Sequence, residues 1–393
     1  MNKGQSTEPA PIDKAEILDR QQKARAAAER AGYDGLLVVG RSFYDRPGDI
    51  AYLTNHFPPF PSTVFSETNR GMGHAFFLLP VSGDPVLITD GRKHRADLVP
   101  VEDVRPAADL GLAVVELLRE RRLEYGRIGL VGDDILPAAF DRYFAAELPG
   151  LKLEPERTMV AGLRAIKSPA EIALLRRAAK CADAALATAV EAIYGGGATE
   201  REVCAAAIGA AMLAGADFVR YFRVHSGPWS AAGSRWPQAM DRRIEPGEVV
   251  ALDAIGAYQG YQFDVNRTTV SGEPDADRLA LLDTVLEATE RAVAACVAGA
   301  AISDVAAAAT KSVKGSAYAA NLGVMMGHGI GLETVELPYV QANERAELRP
   351  GMVLCIEPGI FVPEFAGASI EQEVVIQASG PPEIITPTPV RLW

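Results

Sequence analysis

Four acids and one histidine stand where ordinary packing does not call for them. Asp253 and Asp264 lie in LDAIGAYQGYQFDV, an otherwise apolar pair of strand-like segments. A fold at Tyr258-Gln259-Gly260 predicts the two aspartates directly opposite each other on one face. Like charges in that position destabilise a strand pair, and a carboxylate in an apolar strand is costly unless compensated. Glu357 ends MVLCIE and Glu371 opens the run EQEVVI. A symmetric hairpin sets these two acids across from each other as well. Glu373 shares the Glu371 face. His328, one of five histidines, lies between Gly327 and Gly329 in GHGIG. Glycines on both sides suggest that something approaches this imidazole closely.

No lysine lies within either strand pair, and Arg267 comes three residues after Asp264. Any one of these acids alone reads as a solvated strand-end carboxylate. Two mirrored pairs and a histidine call for several units of compensating positive charge, and two divalent cations supply it. Oxygen-rich ligation with one imidazole favours Mn²⁺, with Fe²⁺, Co²⁺ or Zn²⁺ as alternatives.

The elements that would carry these residues follow a repeated order. KSPAEIALLRRAAKCADAALATAVEAI begins with Ser168, Pro169 and Glu171 at the N-cap, N1 and N3 positions of a long helix. Thr199 and Glu202 repeat the capping box before a second helix. A glycine- and tryptophan-rich loop and an acid-bearing strand pair follow. Residues 273–393 then give helix, helix, the GHGIG loop and a second acid-bearing strand pair. This is an architectural duplication, and it predicts a two-fold α+β domain with central sheet and outer helices. Upstream, helical segments (residues 14–32 and LAVVELLRERRLEYG) alternate with strand segments (DGLLVVG, HAFFLLP, PVLITD, RIGLVGDD). That alternation predicts an α/β domain with a mixed sheet.

Composition narrows the function class. The 393 residues are 48% hydrophobic and 23% charged, with a net charge of −12. There is no basic footprint for nucleic acid, no apolar run long enough to cross a membrane and no apolar leader at the N-terminus. Cys181, Cys204, Cys296 and Cys355 stand alone without metal-type spacing. They read as free buried thiols of a cytoplasmic protein.

These segments together resemble the pita-bread metallohydrolases, the family of Xaa-Pro dipeptidases, aminopeptidase P, methionine aminopeptidase and creatinase. The resemblance lies in LRAIKSPAEIALLRRAA, LDAIGAYQGYQFDVNRT, GHGIGL, IEPGI and IEQEVVI, and in YLTN at Tyr52–Asn55. It implies a creatinase-type α/β domain over residues 1–160 and a pita-bread α+β catalytic domain with pseudo-two-fold symmetry over 161–393. It implies that Asp253 binds one ion, that His328 and Glu357 bind the other, and that Asp264 and Glu371 bridge both. A metal-bound hydroxide would then attack a C–N bond of a small substrate or short peptide, with Glu357 shuttling protons. The resemblance also implies a homodimer in which the N-terminal domain of one chain lines the partner's site, with His56 and His94 as candidates to reach across.

The sequence departs from the peptidases of this family at two histidines. In SGPWSAAGSRWPQ, Ser234 or Arg235 occupies the place of the loop histidine. In GHGIGLETVELP, Val335 replaces the histidine that follows the metal ligand. His225 is a candidate substitute. Trp229 and Trp236 offer a cation-binding wall or loop packing, and Arg235 offers a clamp for a carboxylate. These departures keep open a non-peptidase relative of the creatinase, ectoine hydrolase or dimethylsulfoniopropionate lyase type. A non-catalytic binding protein is the third reading, and the complete ligand set argues against it.

Overall fold

The computed structural model describes residues 9–61, 66, 70–92, 94–232, 234 and 236–393. Residues 12–164 form one compact unit, and residues 165–393 with the described residues 9–11 form the other.

The first unit runs α1 (Lys14–Arg30), β1 (Gly35–Arg41), α2 (Gly48–Thr54), β2 (His74–Pro80), β3 (Val86–Asp90), β4 (Asp103–Ala107), α3 (Leu110–Glu120), β5 (Arg127–Val131), α4 (Ala138–Glu147), β6 (Lys152–Pro155) and α5 (Met159–Ala165). Its sheet has the order β4-β3-β2-β1-β5-β6. β1, β2 and β3 pair antiparallel, whereas β4, β5 and β6 join parallel, so the sheet is mixed as the alternation predicts. The central strands are buried on both faces. Leu37, Val39, Phe76 and Leu78 pack with Leu110, Val114, Phe140 and Phe144 of α3 and α4.

The second unit opens with α6 (Pro169–Tyr194) and α7 (Glu200–Leu213). Both capping boxes are present: the Ser168 and Thr199 side chains accept from the N–H groups of Glu171 and Glu202, whose carboxylates accept from the cap N–H groups. Then come β7 (Phe218–Ser226), β8 (Val249–Tyr258) and β9 (Tyr261–Val270), an antiparallel sheet in that order. The second half repeats the plan with α8 (Ala276–Ala294), α9 (Ile302–Val313), β10 (Gly327–Gly329), β11 (Glu336–Tyr339), β12 (Val353–Ile356), β13 (Gly359–Val362), β14 (Ala366–Ser369), β15 (Gln372–Val375) and β16 (Glu383–Ile384). β11-β10-β12-β15-β16 form one sheet and β13-β14 a ribbon. The buried faces of α8 and α9 pack on this half through Leu281, Leu282, Val285, Val305 and Ala309. The halves join where the Glu371 N–H donates to the Asn266 carbonyl at 3.1 Å, and where Thr268 and Ser369 exchange hydrogen bonds.

Two sequence expectations change here. Asp253 and Asp264 are not directly opposite: Asp253 faces Asn266 and Asp264 faces Ile255. The chain reverses over two residues, Gln259 (φ 48°) and Gly260 (φ 79°), between the paired Tyr258 and Tyr261. Such a tight left-handed turn suits the twist of a hairpin and slides the register. The aspartates remain on one face as diagonal neighbours, because side chains alternate along a strand. The glycines around His328 also have another purpose. A Cβ on Gly327 (φ 149°) would lie 2.0 Å from the Cys355 carbonyl oxygen, and one on Gly329 would lie 2.7 Å from the Leu337 oxygen. They admit the neighbouring strands rather than a substrate.

Candidate metal centre

The acid-bearing strands bring their carboxylates to one buried point. Ile356 pairs with Gln372 and Gly359 with Ser369, so the same register carries Glu357 opposite Glu371. His328 lies on β10 directly beside Cys355. Its Nε2 is 3.3 Å from Glu357 Oε1 and 3.7 Å from Asp264 Oδ2. The Nδ1–H donates to the Gly329 carbonyl at 2.9 Å, which leaves Nε2 as the inward-facing donor atom. Asp253, Asp264 and Glu371 offer oxygens all within 4.8 Å of one another, and so do ligand atoms of His328, Cys355 and Glu371.

The scaffold around Glu371 is built to hold a charge. The Asn266 backbone N–H and Nδ2 donate to Glu371 Oε2 at 2.8 and 2.7 Å. Arg267 is fully buried behind it and donates to the carbonyls of Glu371, Asn266, Thr388 and Pro389. Glu371 Oε1 is buried without a hydrogen-bond partner among the described residues. A buried carboxylate oxygen left in that state is expensive, and it fits a cation ligand. Glu373 has a different task. Its Oε1 accepts from the Asp264 N–H at 3.0 Å, which fixes the backbone that presents the Asp264 carboxylate.

The electrostatics report the same deficit of positive charge. Burial, and then the charges of Asp264, Glu357 and Asp253, hold Glu371 well above the ordinary carboxylate range. Burial pushes Glu373 up to about 8. Burial alone would depress His328, but its hydrogen bond to Glu357 and the charge of Asp264 outweigh that effect and push it up to about 9. The donor set of carboxylates and one imidazole fits divalent ions such as Mn²⁺, Fe²⁺, Co²⁺ or Zn²⁺.

The remaining sequence candidates are placed unevenly. His225 is buried on β7, but its Nε2 hydrogen-bonds the Pro237 carbonyl at 2.8 Å, which ties it to the following loop. Trp229 and Trp236 are 50% and 79% exposed, so loop packing is not what holds Trp236. The Ser234 hydroxyl donates to the Trp236 carbonyl at 3.1 Å. Val335 is 42% exposed. Arg235 lies outside the described residues. In the other unit, burial and then the nearby His94 push His56 down to about 4.

Sequence reading missed the β7 contribution. The Tyr221 hydroxyl donates to Asp253 Oδ2, and Arg223 lies 3.8 Å from that oxygen. The signal was a polar residue at every second position (Tyr221, Arg223, His225) in a strand that turns out to be mostly buried.

Known proteins place this arrangement. Residues 173–378 match the model of metallopeptidase family M24, and residues 20–166 match the creatinase/prolidase N-terminal domain. The chain is 33% identical over 222 residues to the Xaa-Pro dipeptidase of Pyrococcus horikoshii, a match covering 56% of this chain and 63% of that protein's length. It is 30% identical over 383 residues to the probable dipeptidase PepE of Mycobacterium tuberculosis, covering 93% of this chain and 94% of that one. The crystal structure of the prolidase from Pyrococcus horikoshii superposes with a TM-score of 0.82 at 25% identity, covering 95% of this chain and 100% of that one. With two family models adjoining along the chain and a matching fold throughout, the chain belongs to metallopeptidase family M24 and has its pita-bread catalytic fold behind a creatinase/prolidase-type N-terminal domain.

Proposed function

We propose that this chain is a dinuclear metal-dependent hydrolase that cleaves a C–N bond in a short peptide or another small amide-like substrate. The observation that carries the reading is the buried meeting of Asp253, Asp264, His328, Glu357 and Glu371 with Glu371 Oε1 left without a partner. In this reading Asp253 would hold one ion, His328 and Glu357 would hold the other, and Asp264 and Glu371 would serve both. Bound divalent ions supply Lewis acidity toward the scissile carbonyl and lower the pKa of water toward neutrality.

The chain's own groups do the rest. Glu357, whose Oε1 lies 3.3 Å from His328 Nε2, would take a proton from the attacking water and return it to the departing nitrogen. His328 is oriented by its Nδ1–H bond to the Gly329 carbonyl, so its Nε2 lone pair faces inward. Asn266 and Glu373 hold Glu371 and Asp264 in register. Trp229, Trp236, Ser234, Val335, His225 and Arg235 make up the proposed substrate side. Mn²⁺ as the working ion, a homodimer that uses His56 and His94, and a cytoplasmic location complete the proposal. No helix among the described residues is long and apolar enough to cross a membrane.

A second reading keeps the metals and replaces the peptide with a small non-peptide substrate. Val335 and Ser234 or Arg235 favour it, because by the resemblance they stand where peptidases of this family place imidazoles. The test of the shared core is metal analysis of the purified chain beside its Asp264→Ala and Glu371→Ala variants. About two ions per wild-type chain are expected, with loss of ions and of hydrolysis in both variants. Full metal content and unchanged rates in either variant would overturn the assignment.

A further inference from the structure

Arg223 on β7 lies directly opposite Asp253 on β8, which lies directly opposite Asn266 on β9. A guanidinium, a carboxylate and an amide therefore form one row across the three-stranded sheet. Arg223 Nη2 is 3.8 Å from Asp253 Oδ2 and 3.4 Å from Asn266 Oδ1. Both charged side chains are buried, and Arg223 Nε has no hydrogen-bond partner among the described residues. The guanidinium is not clamped into an ideal ion pair. It is held close to a carboxylate whose Oδ2 already accepts from Tyr221.

The second half of the domain serves as an internal comparison. The residue beside Glu357 on the neighbouring chain segment is Met326, whose carbonyl accepts the Glu357 N–H at 2.9 Å. The basic group beside Glu357 there is His328, 3.3 Å away and itself a candidate ligand. A guanidinium is not a ligand, and its charge is permanent at any working pH. The basic group at the Glu357 end of the centre thus belongs to the ligand set, whereas the one at the Asp253 end does not.

We infer that Arg223 is a positioning residue that serves as Asp253's counter-cation in place of a divalent ion, and that an ion held by Asp253 binds against its charge. The inference rests on the dinuclear reading above. In the metal-free chain Arg223 offsets the buried carboxylate and stabilises the fold. In the loaded chain an ion held by Asp253 would share that carboxylate with the like charge of Arg223, in a buried site where solvent screens little. Its removal must then shift the two forms in opposite directions, which a purely structural arginine would not do.

Calorimetric titration of Mn²⁺ into the chelator-stripped full chain tests this, comparing wild type with Arg223→Met, Arg223→Gln and Arg223→Lys. In R223M and R223Q the weaker ion should bind about 10–100-fold more tightly, the usual reach of a residue just outside the ligands. R223K keeps the charge and should stay close to wild type. The stripped R223M protein should melt at a lower temperature than wild type and gain more than wild type when Mn²⁺ is added. If R223M does not fold, R223Q, which keeps a donor toward Asp253 and Asn266, carries the same comparison. Unchanged or weaker Mn²⁺ binding in both neutral variants, or equal losses of melting temperature with and without Mn²⁺, would overturn the inference alone. A wild-type chain that binds no Mn²⁺ would sink the dinuclear reading and this inference with it.

Discussion

Asn266 holds Glu371 twice: its backbone N–H and its Nδ2 both donate to Oε2, at 2.8 and 2.7 Å, and the other oxygen is left turned inward. Two donors on one oxygen fix the carboxylate's rotation and bias which lone pairs remain for a cation. Asn266→Ala keeps the backbone donor and removes the side-chain one. Metal affinity should fall about 10–100-fold, and the melting temperature of the metal-free chain should fall as well, because buried hydrogen bonds to Glu371 and from Arg223 are lost. Mn²⁺ titration of the variant checks this, and wild-type affinity would show that the backbone N–H alone suffices.

The pH dependence of the metal-free chain has a defined sign. His328 rises from an ordinary 6.5 to about 9 in the folded chain, and Glu373 from 4.5 to about 8. A group whose folded pKa is raised contributes stability that is complete below its unfolded value and lost as pH climbs through the folded one. Glu373 therefore loses its contribution between pH 4.5 and about 8, and His328 between 6.5 and about 9. His56 works the other way, but its window lies between about 4 and 6.5. Above pH 6.5, melting temperatures measured in chelator should fall steadily toward pH 9. Saturating Mn²⁺ should flatten that decline, because cations favour the deprotonated ligands. A metal-free melting temperature that rises over this interval would contradict the charge deficit described for the centre.

Gly327 should tolerate no side chain. Alanine there puts a methyl group against the Cys355 carbonyl, on a backbone that L-residues avoid. Gly327→Ala should cost about 3 kcal/mol or more, at the upper end of the usual cost of overpacking. Gly162→Ala meets open space and serves as the control. Urea unfolding of both variants measures the difference, and equal midpoints would refute the steric account.

The parts of this site that the sequence exposed are those where charge interrupts an apolar pattern. Asp253, Asp264, Glu357 and Glu371 stand out in strands that otherwise read as core, and Ser168 and Thr199 announce their helices through a fixed three-residue spacing. What stayed hidden depends on neighbours distant in sequence. The hairpin offset turns on where the chain reverses: the partner of Asp253 moves by two residues, from Asp264 to Asn266, which keeps both aspartates on one face. The glycines around His328 answer to Cys355 and Leu337, which only the folded sheet brings beside them. Arg223 gains its meaning only when β7 pairs with β8 and brings it opposite Asp253. The edge strands β4 and β6, DVRPA and KLEP, carry too little apolar periodicity to be seen alone.

Substrate choice is the last consequence. Valine at 335 and serine at 234 supply no imidazole, and the buried His225 is tied to the Pro237 carbonyl. Loss of one acid–base or oxyanion partner costs about 10²–10³ in rate. On the dinuclear reading, two such losses would leave the centre able to activate water but poorly equipped to stabilise a peptide's tetrahedral intermediate. With Mn²⁺ loaded, kcat/KM on Ala-Pro and longer Xaa-Pro peptides should therefore lie below the ordinary enzyme range that starts at about 10⁴ M⁻¹s⁻¹. A panel of small amides and amidines carrying a carboxylate or a quaternary cation should contain better substrates, because the exposed faces of Trp229 and Trp236 suit a cation. The double substitution Val335→His with Ser234→His should raise Xaa-Pro cleavage relative to wild type. If wild type already cleaves Ala-Pro at 10⁴ M⁻¹s⁻¹ or above, the missing imidazoles are dispensable in this chain, and the plain dipeptidase reading replaces the small-amide one.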